Sequence, residues 1–216
     1  KEHCYRTNVL GTKNLVDASL VLNSKFIYLS TDYVFDGTKK GLYLETDLTN
    51  PKNVYGMSKY LGEKIVETNP HHFITRVSWV FGKNGSNFVR TMLRLSENHP
   101  DLNVVDDQIG SPTYTKDLSK LLIDMSQSEK YGTYHVTNDD YCSWADFAKY
   151  ILKEAGKETR IHAVSTEEYL VLTGTKQAYR PRNSKLSKEK LKTNFYTLPT
   201  WQDATKRYLK EIKEKK

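Results

Sequence analysis

The sequence predicts an α/β fold built on a largely parallel sheet, and three observations carry that prediction. Short apolar runs rich in β-formers alternate along the chain with amphipathic stretches of helical length. The first such run, Phe26 to Leu29, passes at once into the polar cluster Ser30-Thr31-Asp32, the pattern of a buried parallel strand whose carboxyl end opens into a site. With 216 residues, 38% of them hydrophobic, the chain has enough apolar material for one large domain or two small ones.

The elements follow in order. Residues 8–22 read as an amphipathic helix, with Leu10, Leu15, Ala18 and Leu22 recurring at helical spacing. After the 26–29 strand, the turn-rich stretch from Asp36-Gly37 to Asn50-Pro51 predicts a long loop or flap. A helix is expected from Val54 to Thr68, ended by Asn69-Pro70, with Tyr60, Leu61, Ile65 and Val66 available for packing. Phe73 to Phe81 reads as one strand stopped by Gly82, followed by a helix from Phe88 to about Asn98 and a strand over Leu102–Val105. The loop 108–113 leads to a helix near 115–125. A strand at 134–136, a helix over 144–155, a strand at 161–164 and a terminal helix from about Pro199 complete the pattern. The domain division this predicts is 1–85 and 86–216, with about 114–137 returning to the first sheet.

Charge and composition exclude several classes. The net charge is +7, but residues 176–216 hold 13 basic and 4 acidic side chains, so the excess belongs to the C-terminal region. Lys206, Arg207, Lys210, Lys213, Lys215 and Lys216 read as a solvated helix end; without a nucleic-acid binding motif, no nucleic-acid partner is expected. No apolar run approaches the roughly 20 residues needed to cross a bilayer, and no basic-then-apolar leader opens the chain. Two cysteines, Cys4 and Cys142, make no disulfide framework, which favours a reducing cytoplasm. The six histidines, His71-His72 included, show no ligand spacing, so no metal site is expected. Asp106-Asp107 and Asp139-Asp140 read as solvated turns, and the absence of G-x-S-x-G argues against a serine hydrolase.

Tyr-x-x-x-Lys is the pattern that carries chemistry: it sets a phenol and an ammonium one turn apart on a helix, where the cation can lower the phenol pKa. It occurs twice, as Tyr55/Lys59 and Tyr60/Lys64, about 140° apart around one helix. Tyr55 lies at the helix start, where a loop junction can face a cleft; Tyr60 is mid-helix beside Leu61 and Ile65 and reads as packing. The glycines form no G-x-G-x-x-G turn. Either the fold binds no dinucleotide, or the first half of a dinucleotide-binding fold is missing.

Tyr-Leu-Ser-Thr-Asp-Tyr-Val-Phe-Asp-Gly (28–37) and Asn-Val-Tyr-Gly-Met-Ser-Lys-Tyr-Leu-Gly-Glu (53–63) resemble the extended short-chain dehydrogenase/reductases. Arg76 to Gly82, Gln108-Ile-Gly-Ser-Pro-Thr113 and Arg180-Pro-Arg-Asn-Ser-Lys-Leu-Ser187 narrow the resemblance to the dTDP-4-dehydrorhamnose reductases, over residues 5 to about 205. Asn8 to Leu15 is similar to the helix before the Ser/Thr strand in that superfamily. The resemblance implies a Rossmann-like doubly wound sheet with a smaller C-terminal substrate-binding region. It also implies that roughly the first 70 residues of the family pattern, with its Gly-rich loop, have no counterpart here.

The implied activity is reduction of a dTDP-linked 4-keto-6-deoxysugar by NADH or NADPH, with Thr31, Tyr55 and Lys59 catalytic. Tyr55 would give its proton to the developing alkoxide, Thr31 would hydrogen-bond that oxygen, and Lys59 would hold the nicotinamide ribose. Ser30 would line the nicotinamide pocket, against the alternative that its side chain points into the sheet. Asp32 and Trp79 would touch the sugar, against the plainer alternatives of a turn-capping aspartate and a core tryptophan. Arg180 and Arg182, flanking Pro181, would aim guanidinium forks at the diphosphate, against the alternative of a basic surface loop. Gln108 and Pro112 would shape the nucleotide pocket, and Asn8 would steady the active-site helix through water. Some members are described as using Mg²⁺ at a dimer contact; no residue here carries that over, and a homodimer is left open. Two competitors remain. One is another nucleotide-sugar epimerase or a dehydratase, the latter disfavoured because Asp32-Tyr33 stands where an Asp-Glu pair is typical. The other is a non-catalytic regulatory subunit of the methionine adenosyltransferase type.

Overall fold

The computed structural model describes residues 1–214 and has an α/β architecture with parallel strands. The chain opens on a continuous helical run of α1 (Glu2–Tyr5), a π-helical turn (Arg6–Gly11) and α2 (Thr12–Val21). The run begins earlier than residue 8 and buries another stripe than the leucine spacing predicts. Leu10, Leu15 and Leu22 are 54%, 62% and 75% exposed, while Thr12, Val16 and Ser19 face inward. The reason is local hydrogen bonding. Thr12 donates its hydroxyl to the Asn8 carbonyl at 2.9 Å and Ser19 donates to that of Val16 at 2.7 Å, so both are buried with their polar atoms satisfied.

The strands are β1 (Phe26–Thr31), β2 (His72–Val77), β3 (Val80–Phe81), β4 (Asp101–Val105), β5 (Ile109–Gly110), β6 (Thr113–Tyr114), β7 (Gly132–His135), β8 (Cys142–Ser143) and β9 (Arg160–Val164). After α2, the helices are α3 (Val54–Val66), α4 (Phe88–Leu95), α5 (Thr115–Ser126), α6 (Trp144–Ala155), α7 (Thr166–Thr173), α8 (Glu189–Asn194) and α9 (Trp201–Lys213). β1, β2 and β7 form one parallel sheet in that order. Its register aligns Ser30, Arg76 and His135 across the three strands at their carboxyl ends. Beyond it lie three smaller pairs: β3 with β6 and β4 with β9, both parallel, and β5 with β8, antiparallel.

One predicted strand is two. The run 73–81 breaks at Ser78-Trp79, where Trp79 takes φ +49°, and Val80–Phe81 pairs with Thr113–Tyr114 instead of continuing the first sheet. A left-handed backbone at a tryptophan costs about 1–2 kcal/mol, and the packing of its ring holds it there. The indole stacks on Trp144 at 3.7 Å between centroids, and a Cβ on Gly110 would lie 2.9 Å from it. The larger core, containing Phe81, Tyr114, Phe147, Ile151 and Tyr208, packs the β3–β6 pair against α6 and α9. A smaller one with Phe73, Leu121, Met125 and Tyr134 packs α5 on the first sheet. No helix among the described residues is long and apolar enough to cross a membrane.

Candidate active site

The site grows from the carboxyl end of β1. There Thr31 caps a single 3-10 turn (Asp32–Val34), accepting from the Tyr33 amide at 3.2 Å. Its hydroxyl donates to Asp32 Oδ1 at 3.0 Å, and Ser184 donates to Asp32 Oδ2 at 2.6 Å. Burial dominates over these bonds and raises the Asp32 pKa to about 6. Asp32 is therefore a carboxyl group that titrates just below neutrality, inside the pocket.

The start of α3 brings the phenol to this turn. Asn53 caps the helix by accepting from the Gly56 amide at 2.7 Å, while its own amide donates to the Tyr179 carbonyl at 2.8 Å. The cap thus also ties the segment before Arg180 to the helix. Gly56 permits the close approach: a Cβ there would lie 2.2 Å from the Tyr33 carbonyl oxygen. Gly56→Ala is accordingly expected to push α3 off the turn, at a cost of about 1–3 kcal/mol. A fall in Tm together with a loss of activity checks this; an unchanged Tm would contradict it.

The Tyr55 side chain is partly open, at 45% exposure, and its ring meets the edge of Tyr33 at 5.9 Å. Desolvation of the phenol raises its pKa; a hydrogen bond with Thr31 opposes this, and the negative charge of Asp32 adds to it. The sequence argument that Lys59 lowers the Tyr55 pKa is not met here. The Lys59 amine lies over the Tyr28 ring, 3.9 Å from its centroid, and burial lowers its own pKa to about 8. A phenol held protonated is suited to giving up a proton rather than taking one.

Thr31, Asp32, Tyr55, Trp79 and Arg180 line a single cleft of about 350 Å³, joined by Tyr33 and Trp144. A second cavity of about 240 Å³ shares Arg180 and Trp144 with the first and adds Gln108, Met92, Phe88 and Tyr169. Arg180 and Trp144 thus stand at the junction. Other residues lie elsewhere. Ser30 points away from the cleft and donates to Glu63 Oε1 at 2.5 Å, and Pro112 is buried without lining either cavity. Arg182 is paired with Glu167, with Asp107 at 3.9 Å, and lines neither cavity. Asn8 reaches α3 directly: its amide donates to Ser58 Oγ at 3.0 Å, and Ser58 donates to the Tyr55 carbonyl at 2.8 Å.

Tyr33, Trp144 and Ser184 were not singled out by sequence reasoning. Tyr33 and Ser184 sit inside the quoted motifs beside Asp32 and Arg182. Trp144 offered only an aromatic at a helix start. Among the described residues, no group of three or more His, Cys, Asp or Glu side chains is placed to hold a metal.

Residues 1–214 match the RmlD substrate binding domain family. The chain is 43% identical to the spore coat polysaccharide biosynthesis protein SpsK of Bacillus subtilis, over 97% of this chain and 72% of that protein. It is also 43% identical to the dTDP-4-dehydrorhamnose reductase of Aggregatibacter actinomycetemcomitans, over 94% of this chain and 72% of the relative. A crystal structure of dTDP-4-dehydrorhamnose reductase from Bacillus anthracis in complex with NADP superposes with a TM-score of 0.88 at 40% identity, covering 94% of this chain and 72% of that one. The chain belongs to the RmlD substrate binding domain family, that of the dTDP-4-dehydrorhamnose reductases.

Proposed function

We propose that this protein reduces the C4 keto group of dTDP-4-dehydro-L-rhamnose to dTDP-L-rhamnose, using NADPH or NADH. The observation that carries the reading is the convergence of Thr31, Asp32, Tyr55, Trp79 and Arg180 on one cleft at the carboxyl end of a parallel strand. The name of the relatives and the NADP in the Bacillus anthracis neighbour support the same reaction and cofactor.

The residues present fit the nicotinamide-ribose end of such a cofactor. The Lys59 amine is largely desolvated and rests on a ring face; among the described residues it has no carboxylate within ion-pair distance, so ribose hydroxyls would satisfy its N–H groups. The bound nicotinamide supplies the hydride. Tyr55, protonated at neutral pH, donates its proton to the C4 oxygen as charge develops there, and Thr31 steadies that oxygen by a hydrogen bond. Asp32 accepts from a sugar hydroxyl, and the Trp79 ring covers the pyranose. Arg180, at the junction of the two cavities, meets the diphosphate, and the nucleoside enters the cavity lined by Gln108 and Phe88. Arg182, held by Glu167, braces the loop that presents Arg180. The reading divides the chain at about residue 85 into a cofactor part and a sugar-nucleotide part, with about 114–137 returning to the cofactor part. Two unpaired thiols, Cys4 and Cys142, support a reducing, cytoplasmic setting.

The test is consumption of NADPH or NADH, followed by absorbance, with dTDP-4-dehydro-L-rhamnose as substrate. Turnover that requires the sugar is expected. Sugar-independent traces with both cofactors would contradict the reading and favour a non-catalytic binding subunit.

A further inference from the structure

Beneath the cleft lies a buried charge cluster for which the reaction just described has no part. Tyr55, Lys59 and Glu63 are spaced by four along α3 and so share one face. Glu63 is 0% exposed. Its carboxylate accepts from Arg76 Nε at 3.0 Å and Nη2 at 2.8 Å, in fork geometry, and from Ser30 Oγ at 2.5 Å. Ser30 and Arg76 are register partners on β1 and β2, so one carboxylate clamps the carboxyl ends of both strands to the helix. Arg76 is 5% exposed, also donates to the Glu45 carbonyl at 3.3 Å and lies 5.0 Å above the Phe35 ring.

A buried pair of this kind is weak evidence for stability. Desolvating two ions offsets most of their attraction, and apolar replacements of equal volume are often neutral or stabilising. Position is the more telling fact. Glu63 stands one helical turn from Lys59, and its charge favours the ammonium form that burial opposes. The groups facing Lys59 are Glu63 on its own helix, Cys4 from α1 and Tyr28 from β1; Tyr55 stands one turn before it, and Arg76 acts on it through Glu63. His135, next in the row across the sheet, stays neutral because burial lowers its pKa to about 3, so it adds no charge.

We propose that Glu63 is a positioning residue of the reductase site: clamped by Ser30 and Arg76, it fixes the Lys59-bearing face of α3 against the ends of β1 and β2 and supplies the negative charge that keeps Lys59 an ammonium. The inference rests on the reductase reading for its purpose, but not for its test. In the full chain with ¹³C-labelled lysine, the Lys59 signal, assigned by Lys59→Arg, is titrated by NMR in wild type and in Glu63→Gln. The substitution keeps the shape, removes the charge and leaves Arg76 uncompensated, so the Lys59 midpoint should move to lower pH by about one unit or more. The alkaline limb of the kcat/KM profile should move with it. Adding Arg76→Met removes the orphaned cation and should return the midpoint part of the way.

A structural role alone would lower Tm or rate equally at every pH and leave the midpoint in place. That unmoved midpoint overturns the proposal. If Glu63→Gln does not fold, the Glu63→Gln/Arg76→Met protein carries the test: a lowered midpoint supports the proposal, and one equal to wild type overturns it. Absence of turnover in wild type would count against the reductase reading only, since the NMR titration needs no turnover.

Discussion

Replacing Tyr55 by Phe is expected to lower kcat about 100-fold or more while leaving Tm and substrate KM close to those of the parent protein. The expectation follows from where the hydroxyl stands. The ring packs against Tyr33, whereas the hydroxyl interacts with Thr31, and the residue as a whole lines the cleft. Phe preserves the first contact and deletes the second, so binding survives and proton transfer does not. Desolvation together with the Asp32 charge holds the phenol above its ordinary pKa, so the acid form persists at neutral pH. Steady-state kinetics checks this. A Tyr55→Phe protein retaining a tenth or more of the parent kcat would remove Tyr55 as the proton donor.

Asp32→Asn is expected to separate stability from function. Native Asp32 keeps its proton up to about pH 6, whereas an unfolded chain releases it near 3.8. The native state therefore binds more protons across that window, and stability falls as the pH rises through it. At pH 7 the ionised, buried carboxylate holds the fold back by roughly 1–3 kcal/mol. Asn does not ionise; its one carbonyl oxygen accepts from one of the two hydroxyls that bind Asp32, and its amide nitrogen donates to the other, since Thr31 and Ser184 hydroxyls can accept as well as donate. The variant should be more stable by about that amount at pH 7 and no more stable at pH 4. Its KM for the keto sugar should rise about tenfold or more, through the lost charged acceptor. Denaturant unfolding at the two pH values decides it: a stability difference that does not change with pH would show that Asp32 is not the group responsible.

The sequence showed the alternation of strands and helices and the two motif-bearing junctions, because these are local. Tyr55 at a helix start and Thr31 at a strand end were legible from the residues beside them. Burial was less so. Leucine spacing identified the first helix but not its inner face, because Thr12 and Ser19 hide their hydroxyls in their own helix, and that choice depends on the neighbour. The break at Trp79 was hidden for a similar reason: an aromatic at positive φ contradicts its propensity and is held only by Trp144 and the space at Gly110. Helix α7 carried a readable signal, the Ser165/Glu168 capping box, but it has no apolar stripe and buries no residue. Arg182 could not be separated from Arg180 by motif. The structure distinguishes them: Arg182 is paired with Glu167 near Asp107, whereas Arg180 lines both cavities. Glu63 was within the quoted motif and in phase with Tyr55 and Lys59, but its partners Ser30 and Arg76 come from two other elements.

The most direct test of the proposed reaction uses NADPH carrying deuterium at both C4 positions of the dihydronicotinamide. After incubation with dTDP-4-dehydro-L-rhamnose and the protein, the product is examined by mass spectrometry and NMR. Hydride delivery to the keto carbon predicts one deuterium per product molecule, located at sugar C4, with the added hydroxyl proton exchanging with solvent. Product without deuterium at C4, or an unchanged keto sugar alongside intact NADPH, would contradict the account.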